Sequence, residues 1–142
     1  MKKIFFIILI SCLNLYAEVT FNCNTEYINM DGKRYLPPNN LKFFKITLDD
    51  GANNLNFITQ NYKTRYKYSG FIPASKMVPS LGVSFEKEDR YVDIFNNGEL
   101  YLGPTDNSGH MLKATCPSMH LNIRKDYISD NGEIVYILRL KK

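Results

Sequence analysis

The stretch Tyr91-Val-Asp-Ile-Phe-Asn-Asn-Gly-Glu-Leu-Tyr-Leu102 sets two runs of alternating apolar and polar residues on either side of Asn96-Asn97-Gly98. A period of two sends successive side chains to opposite faces of an extended chain, and Asn-Gly supplies the backbone angles of a tight reversal. The stretch therefore predicts a β-hairpin with one face turned toward a core.

Outward from this hairpin the same pattern repeats. Upstream, Leu81, Val83 and Phe85 alternate into a charged turn at Glu86-Lys-Glu-Asp-Arg90. Earlier still, Val19 to Cys23 alternates as a first strand, Asp31-Gly32 marks a turn, and Pro37-Pro38-Asn39-Asn40 marks a loop that no helix or central strand crosses. Phe44, Ile46 and Leu48 share one face against Lys45, Thr47 and Asp49, before a turn at Asp50-Gly51. Leu55 and Phe57 begin another strand, and Tyr62 to Tyr68 supply the next. Downstream, Leu121 and Ile123 lead to Asp130-Asn131-Gly132, from which Ile134, Tyr136, Leu138 and Leu140 return as a last hairpin. The irregular stretch is Phe71 to Leu81, where Pro73 and Pro79 flank a segment expected to hold a helical turn or a mobile loop. No run carries a sustained helical period with caps. The fold class predicted is all-β, an antiparallel β-barrel or sandwich of about 8–10 short strands with one disulfide.

The N-terminus reads as an export signal. Met1-Lys2-Lys3 is basic, Ile4 to Leu13 is apolar, and Asn14-Leu15-Tyr16-Ala17 ends on a small residue before Glu18. The apolar run falls short of the roughly 20 residues of a membrane span. Residues 1–17 are the expected signal peptide and 18–142 a single domain, periplasmic or secreted. A rival reading takes Leu9-Ile10-Ser11-Cys12 as a lipobox, giving an envelope lipoprotein with a structural role, lipid-anchored through Cys12. It leaves an unusually short leader, so the cut after Ala17 is preferred.

Either cut leaves Cys23 and Cys116 as the pair available to an exported domain, where two cysteines most often bond to each other. The leader also carries Lys2 and Lys3, so the 18 basic and 14 acidic residues of the chain become 16 and 14 after cleavage, a net +2. Such a balance selects no partner class, and nucleic acid is not expected. Ten Tyr and nine Phe, with no Trp, suit strands better than helices.

Two segments hold candidate site residues. His110, Met111, Cys116, Met119 and His120 fall within eleven positions and have the sulfur and imidazole donors that suit reduced copper, which makes a periplasmic copper-binding protein one reading. Against it, a strand from Met111 to Cys116 sends those two side chains to opposite faces, and a disulfide removes the thiolate. The preferred reading is a disulfide cysteine followed by a Pro117-Ser118 turn, with no metal and no cofactor. The second segment is Asn61-Tyr-Lys-Thr-Arg-Tyr-Lys-Tyr68. As a strand it ranks Lys63, Arg65 and Lys67 on one face and mainly tyrosine, including Tyr66 and Tyr68, on the other. A strip of this kind could meet an anionic envelope component. The plainer reading is preferred for the strip itself: an outward basic face over an inward aromatic one on a half-buried strand, where exposed lysines discourage aggregation.

Catalytic motifs are absent from the sequence: no Gly-x-Ser-x-Gly, no phosphate-cradling glycine loop, no His-Glu-x-x-His and no Cys-x-x-Cys. Glu86, Glu88 and Asp89, interleaved with Lys87 and Arg90, have the composition of a solvated turn. A binding protein rather than an enzyme is expected.

Val19-Thr-Phe-Asn-Cys23 and Lys113-Ala-Thr-Cys116 resemble the first-strand and late-strand cysteines of small secreted β-barrels, including the C-type lysozyme inhibitors. That resemblance implies an eight-stranded antiparallel barrel and, through Ser69-Gly70, a relation to the inhibitory Ser-Gly-Ala-Arg-Tyr loop, with lysozyme as a partner. The Ala-Arg-Tyr part of the loop is missing here, as is the family's Phe-Trp strand, and the final hairpin runs past the usual end of such inhibitors. The contact surface expected is Tyr62 to Pro79, with Lys63, Arg65, Tyr66, Lys67, Tyr68, Ser69 and Gly70 as binding residues.

Overall fold

The computed structural model describes residues 18–49, 53–106, 109–119, 121–128 and 134–140, with 122–128 and 134–140 described through their backbone. The leader with its two rival cuts, the Asp50-Gly51 and Asp130-Asn131-Gly132 turns, and His120 lie outside the described residues.

The elements in chain order are β1 (Val19–Met30), β2 (Lys33–Tyr35), the short helix α1 (Asn39–Lys42), β3 (Phe43–Leu48), β4 (Asn54–Ile58), β5 (Lys63–Ile72), β6 (Gly82–Lys87), β7 (Arg90–Phe95), β8 (Glu99–Pro104), β9 (His110–Thr115), β10 (Leu121–Ile128) and β11 (Ile134–Leu140). From β3 to β9 each strand pairs antiparallel with the next, and β1 pairs with both β3 and β9. The sheet therefore closes on itself as an eight-stranded antiparallel barrel, the first of the two expected architectures. The described strands number eleven because β2 adds a short edge to β1, and β10 and β11 form a separate two-stranded hairpin.

One long strand makes closure possible. Val19 to Asn24 lies against β3, while Asn24 to Met30 lies against β9, with the register shifting between Thr25 and Tyr27. A bulge of this kind bends a strand and increases its twist, which lets β1 leave one neighbour and join the other. Cys23 and Cys116 are bonded, with Cα atoms 4.1 Å apart, one position beyond the Asn24–Thr115 pair of this closing seam.

Alternation fills the interior. Phe21, Phe44, Ile46, Leu48, Leu55, Phe57, Val83, Phe85, Val92, Ile94, Leu100, Leu112 and Ala114 form one buried cluster. The Tyr91 to Leu102 stretch is the β7–β8 hairpin, with Val92 opposite Leu102 and Ile94 opposite Leu100. Gly98 completes its turn at φ +91, and its N–H donates to the Phe95 carbonyl at 3.0 Å. Asp31 and Gly32, at φ +53 and +81, turn β1 into β2 in the mirror-image geometry that favours hairpins.

Two stretches take a definite form. No helix crosses Pro37-Pro38: α1 starts after them, at Asn39, because Pro38, in an extended conformation, precedes its first turn rather than interrupting it. The Phe71 to Leu81 segment contains no helix. Phe71 and Ile72 extend β5 by pairing with Val83 and Gly82, and bends follow.

The barrel has two unlike ends. One, where the chain passes from Phe95 to Glu99 and beyond Thr115, is packed by Met119 and Leu121 at 1% and 2% exposure. Met119 is turned inward by the Pro117-Ser118 turn, whose closing bond runs from Met119 N to the Cys116 carbonyl at 3.0 Å. At the other end, α1 sits beside the opening, and the inward hydroxyl of Thr25 donates to the Leu41 carbonyl.

Candidate functional site: the basic outer face of the barrel

Lys63, Arg65 and Lys67 are exposed on alternate positions of β5, and Tyr66 between them is buried in the core. The strand thus has the two faces its alternation predicts. Tyr62 and Tyr68 depart from the inward tyrosine row, at 49% and 41% exposure. Tyr62 precedes the strand and stacks on Phe57, ring centroids 6.0 Å apart. Tyr68 lies one position past the last β4 pair, Asn54 with Lys67; it pairs with Phe85 of β6, and its N–H donates to the Asn53 carbonyl at 2.8 Å.

The cations lie on a braced surface. Arg65 Nε donates to Asn56 Oδ1 at 3.3 Å, and Asn56 Nδ2 donates to Thr47 Oγ1 at 3.0 Å, a chain of side chains across β5, β4 and β3. Asn56 is 2% exposed, and its two bonds satisfy both ends of a buried amide. Ile58 stands between Lys63 on β5 and Lys45 on β3, so the register brings a fourth exposed cation alongside the three. Among the described residues none of these four makes an ion pair.

Beside Lys45 the outer face dips into a pocket of about 470 Å³ between β1, β3 and β4, bordered by Asn22, Asn24, Phe43, Ile58 and Gln60. Phe43 projects there at 65% exposure, with Lys42 Nζ 5.6 Å from its ring centroid. The sequence reading missed this pocket. Its only linear sign is Phe43, out of phase with the inward Phe44, Ile46 and Leu48.

Ser69 and Gly70 lie within β5, where the register shifts between Tyr68 and Gly70, rather than on a connecting loop. The other candidate cluster is spread out. His110 begins β9 opposite Met30, whereas Cys116 follows the far end of that strand and is bonded to Cys23. Met111 is half-buried and Met119 belongs to the core. Among the described residues no three of His, Cys, Asp or Glu gather as metal ligands would.

Elsewhere on the outer surface two carboxylates behave in opposite ways. Glu26, at the β1 bulge, accepts from Thr115 Oγ1 and pairs with Lys113 Nζ at 3.1 Å, and the Thr115 bond followed by Lys113 holds its carboxyl below the usual value. Asp93 on β7 is partly buried, and desolvation raises its carboxyl against the opposing effect of a Ser84 hydrogen bond. Its Oδ1 atom has no hydrogen-bond partner among the described residues. No helix among the described residues is long and apolar enough to cross a membrane. Compared with protein-family models, with curated proteins and with solved structures, the chain gives no match, so its own surfaces carry the functional reading.

Proposed function

We propose that the chain is an exported, non-catalytic binding protein of a bacterial envelope, and that the face bearing Lys45, Lys63, Arg65 and Lys67 meets an anionic partner. One observation carries the reading: four exposed cations on β3 and β5, on either side of β4, none engaged in an ion pair among the described residues, one of them braced through Arg65, Asn56 and Thr47. Cations held at fixed spacing with no internal partner favour contact with external negative charge. The buried Cys23–Cys116 bond supports an oxidising compartment. Lipopolysaccharide phosphates fit this chemistry directly. A lysozyme-like protein is the finer alternative that the barrel and cysteine pair imply by resemblance.

The test compares the mature protein with its Lys63→Glu, Arg65→Glu, Lys67→Glu triple variant on beads coated with lipopolysaccharide or with lysozyme, at about 0.15 M salt, where exposed charges are still felt over ~8 Å. Retention of the mature protein on lipopolysaccharide and its loss in the folded variant are expected. Retention on lysozyme alone selects the alternative. Passage of the mature protein through both columns rejects the reading.

A further inference from the structure

The open end of the barrel holds a second pocket, of about 400 Å³, a size that accommodates small ligands. Its wall is mainly apolar, with Ile28, Leu41, Phe57, Leu102 and Leu112 contributed by five different elements. At the opposite end Met119 and Leu121 fill the corresponding space, so the cavity belongs to one mouth of the barrel.

Arg90 stands at the border of this pocket. It occupies the register of Val92 and Ile94, both buried in the barrel interior, and among the described residues it has neither a hydrogen bond nor an ion pair from its side chain. Burial, offset in part by the Arg90 charge, holds the Tyr66 hydroxyl above its ordinary value, and Tyr62 lines the same pocket as Arg90. The turn that carries Arg90 is fixed, because the Asp89 carbonyl accepts from Thr105 N at 2.8 Å and from Thr105 Oγ1 at 3.2 Å. Asp89 and His110 also border the mouth.

We propose that this mouth binds an amphiphile with a single apolar chain and a carboxylate, the chain entering between Phe57, Leu102 and Leu112 and the carboxylate meeting the Arg90 guanidinium. An arginine with no internal partner at the rim of an apolar cavity offers the charge-assisted bonds a carboxylate takes, and the apolar wall removes the chain from water. Asp89 and Arg90 are both exposed at this rim, so a cationic amphiphile is the competing occupant that the test must separate. The lining of the mouth includes none of the four cations of the basic outer face, so its ligand is independent of the partner proposed there.

The probe is dansyl-labelled undecanoic acid, followed by fluorescence enhancement on the mature, disulfide-bonded protein and by competition with decanoate, decanol and decylamine. Decanoate is expected to displace it at a concentration about tenfold below that needed for decylamine. Arg90→Gln is expected to weaken decanoate about tenfold while leaving decanol unchanged, because only the charged contact is removed. Leu102→Trp, which fills the cavity, should abolish binding of every chain, and the Lys63, Arg65, Lys67 triple variant should bind as the parent does. Absence of enhancement, preference for decylamine, or undiminished decanoate binding in Arg90→Gln would each overturn the proposal, the last independently of whether the tryptophan variant folds.

Discussion

Cys23 and Cys116 are joined at the end of the seam where β1 meets β9, next to the Asn24–Thr115 pair. Their separation in sequence is 93 residues, so the bond fixes the contact whose formation in the unfolded chain is most improbable, the closing of the barrel on its own first strand. The bond and the β1 bulge solve one problem together: the bulge aims the strand at β9 and the sulfurs hold it there.

Replacing both cysteines by serine is expected to lower stability by about 4.5 kcal/mol through the entropy returned to the unfolded chain. Urea unfolding of the two proteins measures it. Domains of this size are commonly stable by about 5–15 kcal/mol, so a large part of the population is expected to unfold in the variant at modest temperature. A loss below about 1 kcal/mol would show that the ladder alone closes the barrel.

Gly98 tests the hairpin from which the fold was read. It combines φ +91 with a close approach, since a Cβ there would stand 3.0 Å from the Cys116 carbonyl oxygen. A Cβ on Gly109, at φ +83, would meet nothing within 4 Å among the described residues. Both alanine variants should lose about 1–2 kcal/mol to backbone strain, with Gly98→Ala losing more because Cys116 N is also bonded to the Gly98 carbonyl at 2.8 Å. Equal losses in thermal unfolding would remove the close approach from the explanation.

Asp93→Asn is expected to stabilise the protein at neutral pH by about 1 kcal/mol, since it removes a partly desolvated charge with an unpaired oxygen. The carboxyl is raised in the folded state, so the native protein binds the extra proton. Its penalty is absent below the unfolded value and grows as pH rises through the folded one. The variant should therefore lose that downward slope in a series of urea titrations across the acid range.

Glu26→Gln has the opposite sign. Thr115, first, and Lys113 hold the Glu26 carboxyl below its unfolded value, so its contribution is present above that value and fades as pH falls through the folded one. The group is 43% exposed, which limits the loss at neutral pH to less than about 1 kcal/mol. The same titrations should show the variant converging with the parent in acid.

The strand grammar was legible because a half-buried strand must alternate: Val92 and Ile94, or Phe44, Ile46 and Leu48, announce their inward face whatever they pack against. Turns with Asp-Gly or Asn-Gly were legible for a local reason as well, since the backbone angles at Gly32 and Gly98 are those that glycine adopts without strain. The basic row of Lys63, Arg65 and Lys67 followed from the same alternation. Met119 did not. Beside His120 in the sequence it had the chemistry of a ligand, and its place in the core comes from the turn at Pro117-Ser118 folding it back over the barrel end.

By itself the sequence determined an all-β chain of short antiparallel strands, the pairing candidates Cys23 and Cys116, and the two faces of β5, because each depends on neighbours a few residues apart or, for the cysteines, on the two that remain once Cys12 is assigned to the expected leader. Whether those strands made a barrel or a sandwich was decided by the tertiary structure, since closure needs β1 to bend at Thr25 to Tyr27 and pair with strands on both sides. The same holds for the open mouth with Arg90 and for the pocket beside Lys45. Each is lined by residues from distant strands, and only the register of the closed sheet brings them to one place.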